Sequence, residues 1–209
     1  MSARTLVISF HRSGLHWLRH AAEYFGEIRT PGRATHLIAG GPILFDRTHD
    51  ITRPNRSCPF IGLRDAGGKE IYQRVGLLLR NPYDTFVSHY FLRKDLRFKR
   101  ALADFETYAI NIAGFESLVE AEREVFHFEE FASDESGTMN MLNFFDVVPK
   151  GPTDFNALVA SSKAWYREHQ GLFDKSARPE LKPSQREAIR KMLADKLGIS
   201  FSKYLGRYH

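Results

Sequence analysis

The chain has 209 residues, of which 30 are Lys or Arg and 25 are Asp or Glu, so its formal net charge is +5. This length suits one domain with a sizeable core, and a content of 43% hydrophobic and 26% charged residues excludes the disordered and fibrous classes. The single cysteine, Cys58, excludes an internal disulfide framework and a multi-cysteine metal cluster.

The sequence carries no signal for membrane insertion or export. No apolar run reaches the length of about 18 residues that a spanning helix needs. The apolar stretch after Arg4 is too short for a signal peptide. A cytoplasmic location is therefore predicted. The modest charge, with blocks of both signs, predicts a local anion site and not a coating of nucleic acid.

The first predicted unit is a strand, a tight loop and a helix. The apolar run Thr5–Phe10 has the length of a strand and stops at His11-Arg12-Ser13-Gly14. From Leu15 the spacing of apolar residues becomes helical. The stretch from Arg29 to Gly68 is rich in Gly, Pro and Arg, which predicts mostly loop with a short strand near residues 43–45.

A second strand and helix are predicted near the middle of the chain. The run Val75–Leu79 is too apolar to have a wet face, so it predicts a buried parallel strand that ends at Arg80. Asn81 is a good N-cap and Pro82 suits the first helical position, so a helix is predicted from there to about Lys94.

The remaining elements alternate in the same way. They are a helix over Ala101–Ala121, a strand over Glu124–Phe128, and helices over about Thr138–Phe145, Asp154–His169 and Pro183–Leu197. Alternating strands and helices predict an α/β fold, with residues 1–209 in a single three-layer domain around a central parallel sheet.

The loop after the first strand is a candidate anion site. The N-terminus of a helix carries roughly half a positive charge, and Arg12 adds a full one. The loop is not a Walker A sequence, because it lacks the Gly-x-x-x-x-Gly-Lys-Ser/Thr pattern that binds a triphosphate with Mg²⁺. From this loop alone, an ordinary turn with an exposed arginine stays an alternative.

The second unit adds two residues of matching chemistry. Arg80 lies at the carboxyl end of a predicted buried strand, where ligands bind in open α/β sheets, and an arginine there can bind a phosphate through two N–H groups. Ser88 lies about two turns into the following helix, and its hydroxyl can donate a hydrogen bond. The simpler alternatives are a surface arginine, and a small helix residue that pairs with Asp84 or with solvent.

Together these segments resemble the sulfotransferases that use 3′-phosphoadenosine-5′-phosphosulfate (PAPS). Phe10–Leu18 is similar to the family's 5′-phosphosulfate loop, aromatic-Pro-Lys/Arg-Ser-Gly-Thr-Thr-Trp-Leu, and Arg80–Ser88 is similar to its 3′-phosphate motif, Arg-Asn-Pro-x-Asp-x-x-x-Ser. More weakly, Phe128–Phe131 resembles a Tyr-Glu-Asp-Leu element, and Glu168–Arg190 resembles the C-terminal loop and helix. The resemblance implies a P-loop NTPase-like sulfotransferase fold.

The resemblance also implies the ligands and the residues that bind them. PAPS would be the sulfuryl donor, adenosine 3′,5′-bisphosphate (PAP) the product, and no metal would be needed. Trp17 would stack on the adenine, with core packing as the alternative. The implied cofactor-binding residues are Arg12, Ser13, Gly14, Leu15, His16, Trp17, Arg80 and Ser88.

The sequence departs from the family pattern in both phosphate regions. His11 stands where Pro is usual, and Leu15 and His16 replace the usual hydroxyl pair, so Leu15 can offer only its backbone N–H. The Arg-Lys-Gly signature that covers the 3′-phosphate is missing, and Gly171–Lys175 is the nearest remnant. These departures bear on cofactor affinity.

Sulfuryl transfer needs a cation on the leaving phosphate and a base for the acceptor's proton. Arg12 is the predicted catalytic cation, and it acts electrostatically because arginine keeps its proton. Arg47-Thr48-His49 resembles the Lys-Thr-His of the cytosolic members, whose histidine is the base, which implies His49 as the catalytic base. The alternatives left open are His16, His11 and the carboxylates Glu23, Asp46, Asp50 and Asp65.

The predicted acceptor is a hydroxyl or amine of a small molecule or carbohydrate, and neither nucleic acid nor membrane is a predicted partner. The basic run Arg93–Arg100 is interpreted as a solvated helix end, with recruitment of an anionic acceptor as the alternative. Two rival functions stay open. One is a small-molecule or nucleoside kinase, and the other is a non-catalytic anion- or RNA-binding module whose affinity falls steeply with salt.

Overall fold

The computed structural model describes residues 4–32, 37–90, 97–170 and 179–208. Within these ranges one sheet contains the strands β1 (Thr5–Ser9), β2 (Asp46–Thr48), β3 (Arg74–Leu79) and β4 (Glu122–His127). Their order across the sheet is β2-β1-β3-β4, and every neighbouring pair is parallel. The predicted α/β class with a central parallel sheet is confirmed.

Helices connect and cover the strands. Within the described ranges they are α1 (Leu15–Gly26), α2 (Pro82–Tyr90), α3 (Phe98–Glu116), α4 (Phe128–Phe131), α5 (Glu135–Phe144), α6 (Phe155–Gln170), α7 (Pro183–Leu197) and α8 (Ser200–Leu205). Short 3-10 turns lie at Ile61–Leu63 and Gly206–Tyr208. No helix in this part of the chain is long and apolar enough to cross a membrane.

The two faces of the sheet pack against different helices. Side chains alternate along a strand, so Leu6 and Ile8 enter one hydrophobic cluster whereas Val7 enters another. The first cluster contains apolar residues of α2, α3, α7 and α8, and the second contains apolar residues of α1, α5 and α6. Helices on both faces give three layers.

The central strands β1 and β3 are buried on both faces. Residues 75–79 of β3 are all buried, as their lack of polar positions predicts. Gly76 leaves room for an aromatic ring on one face, because a Cβ at this position would lie 2.5 Å from Cζ of Phe145. Because β1 and β3 are buried along their length, the loops that follow them start from fixed positions.

The predicted N-cap of α2 is observed. Oδ1 of Asn81 accepts hydrogen bonds from the backbone N–H groups of Tyr83, at 3.0 Å, and Asp84, at 3.3 Å. This cap ends β3 and begins α2 within two residues. It therefore fixes Arg80 at the carboxyl edge of the sheet.

The prediction of a short strand near residues 43–45 is wrong by three residues. β2 forms over Asp46–Thr48, beside β1. The apolar character of the earlier segment has another cause, since Phe45 is 2% exposed in the core. Ile43 makes only an isolated bridge to Arg29.

The helix predicted over Ala101–Ala121 begins and ends earlier, at Phe98 and Glu116. A buried carboxylate stops it. Glu70 accepts the backbone N–H groups of Val119, Glu120 and Ala121 at 2.7–3.0 Å, which holds this stretch as a turn before β4.

Several predictions lie partly or wholly outside the described residues, including part of Arg29–Gly68 and part of Glu168–Arg190. The helix from Pro82 is described as far as Tyr90, so its predicted end at Lys94 is outside. Of the basic run, residues 93–96 are outside, and all of Gly171–Lys175 is outside.

Candidate anion site at the carboxyl edge of the sheet

The order of the strands marks one position for a ligand. The chain passes from β2, on one side of β1, to β3 on its other side. In open α/β sheets, ligands bind at such a switch point, outside the carboxyl ends of the strands. Residues 10–14 follow β1 and residues 80–81 follow β3, and we call the space between these two loops the β1/β3 crevice.

The loop of residues 10–14 is tightly folded. The Ser13 N–H donates to the Phe10 carbonyl oxygen at 3.2 Å, and Arg12 and Gly14 adopt left-handed φ angles of 70° and 100°. A Cβ on Gly14 would lie 2.6 Å from ring atoms of both Phe128 and Phe131, so only glycine fits. Gly14 is the N-cap of α1 without a side-chain cap, and such a helix start attracts anions through its N–H groups and dipole.

Ser13 places a buried hydroxyl next to the start of α1. The residue is 0% exposed, and its hydroxyl has no hydrogen-bond partner among the described residues. A buried polar group without a partner costs about 1–3 kcal/mol, and native proteins usually satisfy such groups with a bound species or with water. Because Ser13 directly precedes the N-cap, it is a candidate donor to an anion at the start of α1.

Arg80 joins the two motifs. Its Nη1 donates to the backbone carbonyl of Arg12 at 3.2 Å, across a sequence separation of 68 residues. The guanidinium lies 4.9 Å from the ring centre of Phe128. The Tyr108 hydroxyl donates to the carbonyl of Arg80 at 2.7 Å, and burial raises the pKa of this tyrosine, so it keeps the proton that it donates. Arg12 and Arg80 thus lie at one site.

Ser88 lies farther along α2, where it is 8% exposed. It shares a rigid helix with the Asn81 cap, so its position relative to Arg80 is fixed by helix geometry. Its role toward a 3′-phosphate stays a prediction.

His49 follows β2 and lies beside the loop of residues 10–14. Its Nδ1 is 2.8 Å from the carbonyl oxygen of Ser9, which can only accept, so Nδ1 carries the proton. The His11 ring is centred 4.1 Å from that of His49 and stacks on His89 at 4.7 Å. Three elements therefore bring three imidazoles together at this edge.

The second ring nitrogen of His49 is also engaged. Nη1 of Arg47 lies 2.9 Å from Nε2 of His49, and a guanidinium can only donate. Burial above all, then the neighbouring His11, with smaller contributions from Arg47 and His89, lowers the pKa of His49 from 6.5 to about 3. His49 is thus neutral near pH 7, and its basic lone pair accepts from Arg47.

The alternative base in the loop, His16, packs against α6. Its ring is centred 4.7 Å from Trp165 and 4.3 Å from Tyr166. Burial first, then the charge of His20, lowers the pKa of His16 to about 3. His16, like His49, is therefore neutral near pH 7.

Trp17 and Leu15 contact the hydrophobic layer under α1. The Trp17 indole N–H donates to the Phe131 carbonyl at 3.1 Å, and its ring meets Phe155 edge-on at 5.9 Å. These are contacts of core packing, and stacking on adenine stays a prediction. Leu15 is 9% exposed in the same core cluster, which leaves its backbone as the part available to a ligand.

The four carboxylates considered as bases bind groups of the chain. Glu23 is 2% exposed, pairs with Arg19 at 3.9 Å and accepts the Leu37 N–H at 2.7 Å. Each of the others also has a partner, which gives it a structural role. Asp46 pairs with Arg4 and Tyr72, Asp50 with Thr52 and Arg53, and Asp65 with Gly67 and Lys69.

Sequence reasoning missed two members of the site. Arg47 stands in the tripeptide that suggested His49, where the family has lysine, but only the structure shows it donating to that histidine. His89 directly follows Ser88, and its stacking on His11 depends on how α2 lies against the first loop. Neither contact has a signal in the local sequence.

The wider comparisons add no relative. In the described part of the chain, no three His, Cys, Asp or Glu side chains are grouped so that they could hold a metal ion. Comparison of the chain with protein-family models, curated proteins and solved structures found no match. The likeness to PAPS sulfotransferases is therefore a likeness of sequence motifs alone.

Proposed function

We propose that this protein is a PAPS-dependent sulfotransferase with a P-loop NTPase-like sulfotransferase fold. It transfers a sulfuryl group to a hydroxyl or amine of a small-molecule or carbohydrate acceptor. The observation that carries the proposal is the 3.2 Å contact between Arg80 Nη1 and the Arg12 carbonyl. This contact unites two motifs that a ligand with two separate anionic groups would use together.

In the proposal the two anionic ends of PAPS bind at different strand ends. The 5′-phosphosulfate lies at the start of α1, with Arg12, the Ser13 hydroxyl and the helix N–H groups as donors. The 3′-phosphate binds Arg80 and Ser88. The unpartnered Ser13 hydroxyl supports this arrangement, because a bound phosphosulfate oxygen would satisfy it.

The proposed step moves one group and one proton. The acceptor oxygen or nitrogen attacks sulfur, the bond from sulfur to the 5′-phosphate oxygen breaks, and its electron pair leaves with PAP. Arg12 stabilises the charge that develops on that phosphate. Nε2 of His49 takes the acceptor's proton, and the proposed step needs no metal ion.

A thermal-shift comparison tests the proposal. PAP without a divalent metal is expected to raise the melting temperature, because ligand at about a hundred times its dissociation constant adds about 2.7 kcal/mol. For a domain of this size the shift is about 5–10 °C. Arg12→Met should remove most of it, whereas the control Arg53→Met, at a side chain 84% exposed, should keep it.

The rival functions predict different responses. Stabilisation by ATP with Mg²⁺, without stabilisation by PAP, favours a small-molecule or nucleoside kinase. Stabilisation that follows phosphate number, ignores adenosine and falls steeply with salt favours an anion- or RNA-binding module. Either result contradicts the sulfotransferase proposal.

A further inference from the structure

Arg47 hydrogen-bonds to the one ring nitrogen of His49 that could take a proton from an acceptor. Nδ1 of His49 is committed to the Ser9 carbonyl at 2.8 Å, so only Nε2 can accept a proton. Nη1 of Arg47 lies 2.9 Å from that nitrogen. An acceptor hydroxyl and the Arg47 guanidinium therefore compete for the same lone pair.

The imidazole of His49 is held in this orientation. The backbone carbonyl of His49 accepts a hydrogen bond from Nδ2 of Asn111 at 2.9 Å. The centres of the His49 and His11 rings are 4.1 Å apart. The charged or titratable groups that act on the ring are Arg47 from β2, His11 from the first loop and His89 from α2. Because the imidazole is fixed, release of Nε2 requires movement of the Arg47 side chain.

An anion gives Arg47 a reason to move. An anion attracts a guanidinium through its charge and can accept two of its N–H groups side by side, whereas the neutral imidazole of His49 offers one lone pair and no charge. Arg47 pairs with Val7 of β1 in the sheet register, so its backbone is fixed next to the strand that leads into the anion-binding loop. The long side chain is the part that is able to turn.

We propose that Arg47 is a positioning residue that masks Nε2 of His49 until an anion enters the β1/β3 crevice. The guanidinium then turns to the anion, and Nε2 becomes available for the acceptor's proton. The identity of the anion as a phosphosulfate depends on the proposed function. The masking depends only on negative charge.

Chemical modification of His49 tests this inference, because diethyl pyrocarbonate reacts with an available imidazole lone pair. The rate is measured at pH 7 by peptide mass spectrometry, relative to His169 in the same sample, whose side chain is 43% exposed. Inorganic sulfate is the probe. Bound ligands ordinarily protect a site, but here sulfate should accelerate the reaction of His49 by about tenfold, as expected for the loss of one hydrogen bond from a charged donor.

Variants separate the mask from general structure. Arg47→Met should give the fast rate without sulfate and show no further acceleration with it. Arg47→Leu, which also has no donor, repeats this test if the methionine variant fails to fold. Arg53→Met should behave like the wild type. A rate that sulfate lowers or leaves unchanged in the wild-type protein overturns the masking, and so does an unchanged rate in a folded Arg47 variant.

The same samples distinguish failure of the masking from failure of the proposed function. If PAP raises the melting temperature while sulfate leaves His49 unreactive, the masking is wrong and the proposed function stands. If sulfate accelerates the reaction but PAP does not bind, the masking stands and the anion is not a PAPS-like nucleotide.

Discussion

Two regions at the same edge of the sheet carry opposite charge. The β1/β3 crevice presents Arg12 and Arg80, with Arg47 at the neighbouring end of β2. At the end of β4 lies a hollow of about 430 Å³, which we call the β4 hollow and whose acidic lining is Glu124, Glu129, Glu130 and Asp134. Because they share one sheet edge, topology alone cannot decide which of them binds an anion.

The difference lies in which polar groups the chain itself satisfies. In the β4 hollow, Glu129 accepts from the Asn81 N–H and the Tyr208 hydroxyl, both at 2.8 Å. Glu130 pairs with Arg207 at 2.6 Å, and Asp134 caps α5. In the crevice, by contrast, the buried Ser13 hydroxyl has no partner among the described residues. The two regions therefore differ both in charge and in how fully the chain itself satisfies their polar groups.

The sharpest way to test this contrast is to compare the histidines at the two strand ends. His49→Gln should lower sulfuryl transfer, or slow PAPS hydrolysis until an acceptor is found, by about 10²–10⁴-fold, because a general base contributes that much. His127→Gln is the matched control, since His127 bonds to the Tyr208 hydroxyl at 2.9 Å beside the β4 hollow. Initial rates measure both, and equal losses would contradict the assignment of the base.

The fit of the first loop gives the next largest effect, on folding. Gly14→Ala should lower the free energy of unfolding by about 2–5 kcal/mol, because it adds a left-handed backbone penalty to overpacking against two phenylalanines. Gly62→Ala should cost only about 1–2 kcal/mol. Gly62 has φ 63° but nothing within 4 Å of its added Cβ. Urea unfolding measures both, and similar losses would mean that the phenylalanines do not constrain the loop.

Ligand affinity tests the proposed roles of Arg80 and Ser88 toward the 3′-phosphate. Arg80→Ala and Ser88→Ala should each weaken PAP binding by about 1.5–3 kcal/mol, as for loss of a charge-assisted hydrogen bond. Arg207→Ala, which removes the exposed ion pair with Glu130, should leave the affinity unchanged. Calorimetry with adenosine 5′-phosphosulfate, which lacks the 3′-phosphate, is the control. If its affinity falls equally, the two residues do not bind the 3′-phosphate.

The last prediction concerns the pH dependence of stability. His16 and His49 have a pKa of about 3 in the folded protein, well below the ordinary 6.5. The unfolded chain therefore binds more protons, and stability is lost as pH falls below about 6.5. Each histidine contributes a slope of up to about 1.4 kcal/mol per pH unit. Urea unfolding between pH 4.5 and 7.5 measures this slope, and His49→Gln should flatten it. An unchanged slope in that variant would contradict the prediction.

The sequence by itself determined the two strand–loop–helix units and the fold class. The apolar run at β3 has no polar position to face water, and Asn81-Pro82 forms a cap and a first turn from neighbouring residues alone. These signals lie within one element, so they can be recognised without knowledge of the rest of the chain. The resemblance of both loops to phosphate-binding motifs was found in the same local way.

The tertiary structure alone decided what those loops contact. The hydrogen bond from Arg80 to Arg12 joins residues 68 positions apart. The turn that follows α3 is held by Glu70, which lies before β3 in the chain. β2 forms three residues later than its apolar run suggests. The pairing of Arg47 with His49 is close in sequence, but it needs Ser9 to fix the tautomer of the ring. Each of these features depends on packing between elements, because even the neighbours Arg47 and His49 take their orientation from Ser9, a residue of another strand.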